Sequence, residues 1–147
     1  MNARPLPASL VDNPRLDRWI HFQPDRTVRI ATGKVEMGQG VVTAIGQIAA
    51  EELDLPFDRV VVLSGDTTNG PDELYTTSSL SVEVSGGSVR LVCAEVRAKA
   101  LLDRNPTPSR GDIVAALDRH LCRCGAHQRI LRAVERAAAT LRNGGRA

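Results

Sequence analysis

Two short stretches of this 147-residue chain carry residue types whose spacing could do chemistry. The first is Glu36-Met37-Gly38-Gln39-Gly40, just ahead of a helical apolar pattern. Glycines at that point let a ligand reach the main chain, and the first N–H groups of a helix have no acceptor within it. A phosphate there would gain those hydrogen bonds and the positive end of the helix dipole. Gln39 adds an amide that both donates and accepts. The third glycine of the dinucleotide fingerprint is missing. Two readings therefore stand, an anion cradle or a tight turn that needs glycine and binds nothing.

The second stretch is His120-Leu121-Cys122-Arg123-Cys124-Gly125-Ala126-His127, which concentrates four potential soft or borderline ligands. Alternating cysteines in a turn between helices can face one metal, and neighbouring arginines favour thiolates. Cys122 and Cys124 with histidine would suit zinc, although the spacing matches no common zinc motif. They would equally make half of a two-iron cluster, which takes four protein ligands. Two reduced cysteines flanking a helix break are the third reading.

These stretches must be positioned by the elements around them. Trp19-Ile20-His21-Phe22 and Val28-Arg29-Ile30-Ala31 are β-prone runs on either side of Pro24-Asp25, a turn signal, and predict a hairpin. Val41, Val42, Ile45, Ile48, Ala49 and Leu53 follow helical spacing up to Pro56, and Val60-Val61-Val62-Leu63 reads as a buried strand. A polar loop over residues 67–79 is followed by a helical pattern over residues 80–102. Gly86 and Gly87 inside that pattern cost about 1 kcal/mol each relative to alanine. They imply either a close approach to the backbone or a helix that starts only at Ser85 or Ser88. Asn105-Pro106-Thr107-Pro108 is a linker, and Ser109 with Asp112 forms a weak capping box for the next helix. A last amphipathic helix, residues 130–141, presents Leu131, Val134, Ala138 and Leu141 on one face. The expected class is α+β. A β-β-α-β-α segment over residues 19–102 follows an extended arm (1–18), and a linker (103–109) leads to a small α-helical segment (110–142).

Composition narrows the function. At 42% hydrophobic residues the chain can build a core, but with 3% aromatics that core must be aliphatic. A net charge of +2 does not point to nucleic acid. The arginine-rich end, residues 119–146, reads as the solvated face of a helix with no aromatic stacking platform beside it. No apolar run is long enough to span a bilayer, and the N-terminus lacks the pattern of a secretion signal. The expectation is a cytoplasmic protein without a membrane or nucleic-acid partner. An odd number of cysteines, three, argues for a metal or redox role over a disulfide framework.

Over residues 6–102 the chain resembles the start of the large, molybdopterin-binding subunit of the xanthine dehydrogenase and aldehyde oxidase family of molybdenum hydroxylases. It is most similar there to the isoquinoline 1-oxidoreductase branch. The resemblance is carried by Leu16-Asp17-Arg18-Trp19-Ile20, Thr32-Gly33-Lys34-Val35-Glu36-Met37-Gly38-Gln39-Gly40, Ile48-Ala49-Ala50-Glu51-Glu52-Leu53, Ser64-Gly65-Asp66-Thr67 and Tyr75-Thr76-Thr77-Ser78-Ser79. It implies that Gly38, Gln39 and Gly40 contact a molybdopterin cofactor, often a dinucleotide, and that Thr76, Thr77, Ser78 and Ser79 border it. The family often has glycine where Ser78 stands. Its catalytic glutamate lies far downstream and has no counterpart here. Glu36, Glu51 and Glu52 read instead as loop and helix-surface carboxylates.

Over residues 98–139 the chain resembles the end of the small, iron–sulfur subunit of the same enzymes, a helical domain holding a [2Fe–2S] cluster. Leu101-Leu102-Asp103-Arg104-Asn105-Pro106 and Leu121-Cys122-Arg123-Cys124-Gly125 carry this, with His127, Ile130, Arg132, Ala133 and Val134 in step. The resemblance places the other cysteine pair at Gly87 and Arg90, so both of those ligands are missing. Cys93 is out of register and reads as a small buried thiol. What is implied is a fusion of a partial molybdopterin-binding domain with half of a ferredoxin-type domain, catalytically incomplete. It would share molybdopterin and the iron–sulfur cluster with other molybdenum hydroxylase subunits. The alternatives are a non-catalytic fusion remnant and a small zinc- or anion-binding module.

Overall fold

The structure is a computed structural model that describes residues 5–117 and 127–142. The chain forms two compact units, Met1–Cys93 and Ala94–Ala147.

The first unit is built on a three-stranded sheet. Strands β1 (Ile20–Phe22) and β2 (Val28–Thr32) pair antiparallel, and β3 (Val60–Ser64) lies parallel to β2. The Pro24-Asp25 turn closes the hairpin as its composition predicts. Gln23 N–H donates to the Thr27 carbonyl (2.9 Å), and the Asp25 carboxylate accepts from Thr27 N–H (2.9 Å). A parallel partner requires a crossover, supplied by the helix over Val41–Leu53. Val41, Ile45 and Ala49, one face of that helix, are buried, each large aliphatic side chain contributing about 2 kcal/mol.

Before the sheet, a short helix α1 (Ala8–Asp12) stands where the sequence reads as an extended arm. Pro7 supplies the carbonyl that accepts from Leu10 and Val11 N–H, a local start that Pro-rich composition disguises. The crossover helix is thus α2. After β3 comes a π-helical segment, Ser81–Gly86, running directly into α3 (Gly87–Arg104). The helical run therefore begins ahead of both Ser85 and Ser88. The glycine pair divides in meaning. A Cβ on Gly86 would sit 2.8 Å from Ile48 Cδ1 of α2, whereas one on Gly87 would meet only Pro7 Cγ at 3.7 Å. Gly86 is the point of close approach.

The division between the units falls within α3, ahead of the Pro-rich segment. In the second unit, Leu101 and Leu102 of α3 form a core with Ile113 and Leu117 of α4 (Arg110–Leu117) and Leu131, Val134 and Ala138 of α5 (His127–Arg142). Leu141 is exposed. Ser109 Oγ accepts from Asp112 N–H (3.2 Å) and Asp112 Oδ2 accepts from Ser109 N–H (2.8 Å), a reciprocal cap at the start of α4. The Ser109 N–H, and after it the Ser109 hydroxyl (2.8 Å), donate to that carboxylate and hold the Asp112 carboxyl below its ordinary range. Arg110 of α4 pairs with Glu135 of α5 at 2.6 Å. Among the described residues no helix is long and apolar enough to cross a membrane.

Candidate functional site: a polar cleft at the start of α2

The loop before α2 needs its glycines for conformation. Gly38 (φ 93°) and Gly40 (φ 76°) both occupy the left-handed region, and a Cβ added to either would meet nothing within 4 Å. Their outer faces are open, as close approach by a ligand requires.

Three N–H groups in and just ahead of the helix start are already engaged, however. Glu36 Oε1 accepts from Gly38 N–H (2.8 Å) and Gly40 N–H (2.9 Å), while Oε2 accepts from Val42 N–H (3.1 Å). The anion at the positive end of α2 is thus this chain's own carboxylate. The bonds from Gly40 and Val42, in that order, pull its pKa below the usual glutamate range. Gln39 turns back on the same loop, accepting from Met37 N–H (2.6 Å) and donating to the Val35 carbonyl (3.0 Å). Glu36 is a loop residue as expected from the sequence, but its role there is structural. Glutamate a few residues ahead of a helix, with glycines between, was the available signal.

The second wall comes from residues 71–79, held by a buried polar network. Glu73 Oε2 accepts from Thr32 Oγ1 (2.7 Å), Gly33 N–H (2.9 Å) and Ser85 Oγ (2.9 Å). Lys34 Nζ donates to the carbonyls of Glu73 (2.8 Å) and Tyr75 (2.9 Å). The N-terminal segment grips the same stretch. Asn13 Nδ2 donates to the Asp72 carbonyl (2.8 Å) and its Oδ1 accepts from Asp72 N–H (3.1 Å). Trp19, fully buried, donates its indole N–H to the Asn13 carbonyl (2.9 Å). Finally Thr76 Oγ1 accepts from Val35 N–H (2.8 Å), joining the two walls.

Between them lies a cleft of about 450 Å³ that brings together Gln39, Gly40, Thr76, Thr77, Ser78 and Ser79. Ser81 and Val82 of the π-helical segment also line it, a type of segment frequent at functional sites. Gly38 belongs to the same loop but does not line the cleft. Ser78 and Ser79 both have φ 57°, a left-handed pair that side chains disfavour. The lining offers hydroxyls and an amide but no lysine or arginine. Beside it a second hollow of about 560 Å³ is walled by Val35, Met37, Leu74 and Tyr75, all exposed.

The other sequence candidates fall elsewhere. Cys122 and Cys124 lie outside the described residues. Gly87 opens α3, and Arg90 pairs through Nε with Glu52 Oε1 at 2.6 Å. Glu52 is buried rather than on the helix surface, because α3 supplies a cation across from it. Cys93 is buried and reduced, and burial, with the nearby Glu52 charge second, pushes its thiol up to about 12. Burial thus favours the protonated thiol at neutral pH. Among the described residues no group of His, Cys, Asp and Glu is arranged to hold a metal ion.

Comparison with known proteins identifies the family. Residues 7–119 match the molybdopterin cofactor-binding domain family. That match extends past residue 102, where the large-subunit resemblance ended on sequence alone. Aldehyde oxidase 2 of Mus musculus is 30% identical over 99 residues, 66% of this chain and 7% of that protein. A nicotinate dehydrogenase subunit of Pseudomonas putida is 34% identical over 87 residues, 59% of this chain and 7% of that protein. Xanthine dehydrogenase 1 of Arabidopsis thaliana is 34% identical over 80 residues, 54% of this chain and 6% of that protein. The matched region thus spans less than a tenth of the length of each of these relatives.

Proposed function

This chain belongs to the molybdopterin cofactor-binding domain family, and from that premise we propose that it supplies one wall of a molybdenum-cofactor site in a molybdenum-hydroxylase-type oxidoreductase whose other walls belong to partner subunits. The observation that carries this reading is the cleft itself. Two loops some forty residues apart in sequence converge on it, and they bring the uncharged polar side chains of Gln39, Thr76, Thr77, Ser78, Ser79 and Ser81 together with apolar Met37, Val41, Ala44 and Val82.

The residues fit part of the cofactor better than the rest. Gln39, Thr76, Thr77, Ser78 and Ser79 would hold the hydrogen-bonding ring system, for which hydroxyls and an amide are suitable partners. A phosphate at the start of α2 would have to replace Glu36 on the N–H groups of Gly38, Gly40 and Val42. When bound, the cofactor would supply hydroxylation chemistry at its metal, with electrons leaving through iron–sulfur clusters. The described residues orient and enclose, and none of them is placed as a general base. The exposed Met37, Leu74 and Tyr75 beside the cleft support a partner chain closing the site.

Cys122 and Cys124 would supply two of the four ligands of a [2Fe–2S] cluster, with the remaining pair from a partner. Gly87 and Arg90 stand at the positions where the resemblance would put an internal second pair, and Arg90 is instead paired with Glu52. The test is co-expression of the full chain with its neighbouring genes, followed by purification and metal analysis. Copurification with a molybdenum-containing subunit, together with iron and sulfide, is the expected result. A chain that purifies alone with about one equivalent of zinc, or with no metal, would sink the proposal in favour of a zinc module or an inert remnant.

A further inference from the structure

On the sheet face opposite α2 lies a second pocket, of about 490 Å³, that shares no residue with the cleft. Alternation along the strands puts it there. Ile30 and Val62 are register partners, and Val62 lies against Gly46 of α2, so Arg29 and its antiparallel partner His21 project from the other side. Arg15 and Arg18 join them at the rim, with Asp17 the lone acid in the lining. Three guanidinium groups against one carboxylate leave an excess of positive charge with histidine counted as neutral.

Two nitrogens in this pocket are conspicuous, the Arg29 donor and a His21 nitrogen that donates when it carries the ring proton. Arg29 Nε and His21 Nε2 are both sealed from solvent, and neither has a hydrogen-bond partner among the described residues. Leaving such a group unpartnered costs about 1–3 kcal/mol, more when it is charged. Two side by side on adjacent strands call for a shared acceptor. Arg18 adds charge without competing for that role. Its N–H groups go to the carbonyls of Thr67 (2.7 Å), Thr68 (2.9 Å) and Gly70, all neutral acceptors. Thr68 and Asn69 complete the lining with polar groups.

We propose that this pocket is a binding site for a small phosphate-bearing anion, held by Arg29 and His21 with Arg15 and Arg18 at the rim. Phosphate oxygens accept several hydrogen bonds at once, and planar guanidinium groups match that geometry. The volume falls within the range of small-ligand sites. The inference stands apart from the proposed cofactor cleft, since either can fail without the other.

The test is titration of the full chain with inorganic pyrophosphate, followed by calorimetry, with citrate as a carboxylate comparison. Arg29→Gln removes the sealed donor, and Arg15→Gln removes a rim charge whose side chain is 76% exposed and outside the core. Arg142→Gln, on the exposed end of α5, controls for general charge. Saturable pyrophosphate binding weakened about tenfold by Arg29→Gln, less by Arg15→Gln and not by Arg142→Gln, is the expected pattern. If Arg29→Gln does not fold, a selective effect of Arg15→Gln over Arg142→Gln still supports the site. No saturable binding overturns it, as would happen if the pocket takes an acidic segment of another protein. Equal loss in all three variants, or citrate binding as tightly as pyrophosphate, overturns it too.

Discussion

Replacing Gly33 with alanine should unfold the first unit far more readily than a methyl added at a loop glycine that faces open space, such as Gly38. Gly33 follows β2, and its backbone is not in the left-handed region, so its requirement is space. A Cβ there would lie 2.7 Å from the Pro71 carbonyl oxygen, 2.8 Å from Glu73 N and 3.0 Å from Glu73 Cβ. Two of these are main-chain atoms, and they belong to the stretch clamped by Asn13, Lys34 and Thr32. Over-packing costs about 1–3 kcal/mol where neighbours can shift. With main chain on the receiving side the upper end applies, and the Gly33 N–H bond to Glu73 Oε2 (2.9 Å) is put at risk as well. A loss of about 3 kcal/mol would lower the melting temperature of a unit this size by on the order of 15 °C.

The chain has one tryptophan, the buried Trp19, so its fluorescence follows unfolding of the first unit specifically. Gly38→Ala is the matched comparison. Its Cβ meets nothing within 4 Å, and only the φ of 93° resists it, a cost of about 1–2 kcal/mol. A Gly33→Ala protein melting within a few degrees of the parent, or no lower than Gly38→Ala, would refute the idea that residues 71–73 form a fixed wall against β2.

Leu74 is 74% exposed with φ 55°, so Leu74→Gly should relieve backbone strain with little lost burial and raise the melting temperature, by up to about 1 kcal/mol in stability. An unchanged or lower value would show that the loop needs the side chain. Ser109→Ala removes the hydroxyl half of the reciprocal cap on α4 and should cost the second unit about 1 kcal/mol, read from helical signal on heating. Cys93, with its thiol raised to about 12, stays protonated in the fold after an unfolded thiol, at about 8.5, has ionised. That favours the unfolded chain as pH climbs, so this contribution is intact below about pH 8.5 and is lost progressively up to pH 12. Folded protein at pH 8 should leave Cys93 unlabelled by a thiol reagent until denaturant is added, and rapid labelling without denaturant would contradict its burial.

What was readable from sequence was mostly local. The Pro24-Asp25 turn, the spacing of Val41, Ile45 and Ala49, and the Ser109–Asp112 cap each need only neighbouring residues to form, and each is present. The long-range features were opaque. Glu52 looks like a helix-surface acid until Arg90, thirty-eight residues on, is found across from it. Glu73 sits in a run that reads as a polar loop, yet it is buried because Thr32, Gly33 and Ser85 all supply donors to one of its oxygens. The basic pocket was equally hidden, since His21 and Arg29 become neighbours only through the register of β1 on β2. Of the candidate site, Gln39, Gly40 and Thr76 to Ser79 were named from sequence and line one cleft. That Glu36 would fill the helix end behind them was not.

That last point bears on how such a site works. A helix start with open glycines attracts whatever anion is nearest, and a carboxylate four residues before Gly40 is always present at high effective concentration. By taking the free N–H groups, Glu36 fixes the loop in one shape before any ligand arrives, and the two bonds of the Gln39 amide do the same from the other side. A loop held this way gives up little conformational entropy on binding, which is the usual cost of recognition by flexible turns. It also sets the polarity of the cleft. With the positive helix end neutralised and no lysine or arginine in the lining, a ligand there must be recognised by matched hydrogen bonds rather than by charge, and the positive charge in this unit collects instead around Arg18 and Arg29 on the far side of the sheet.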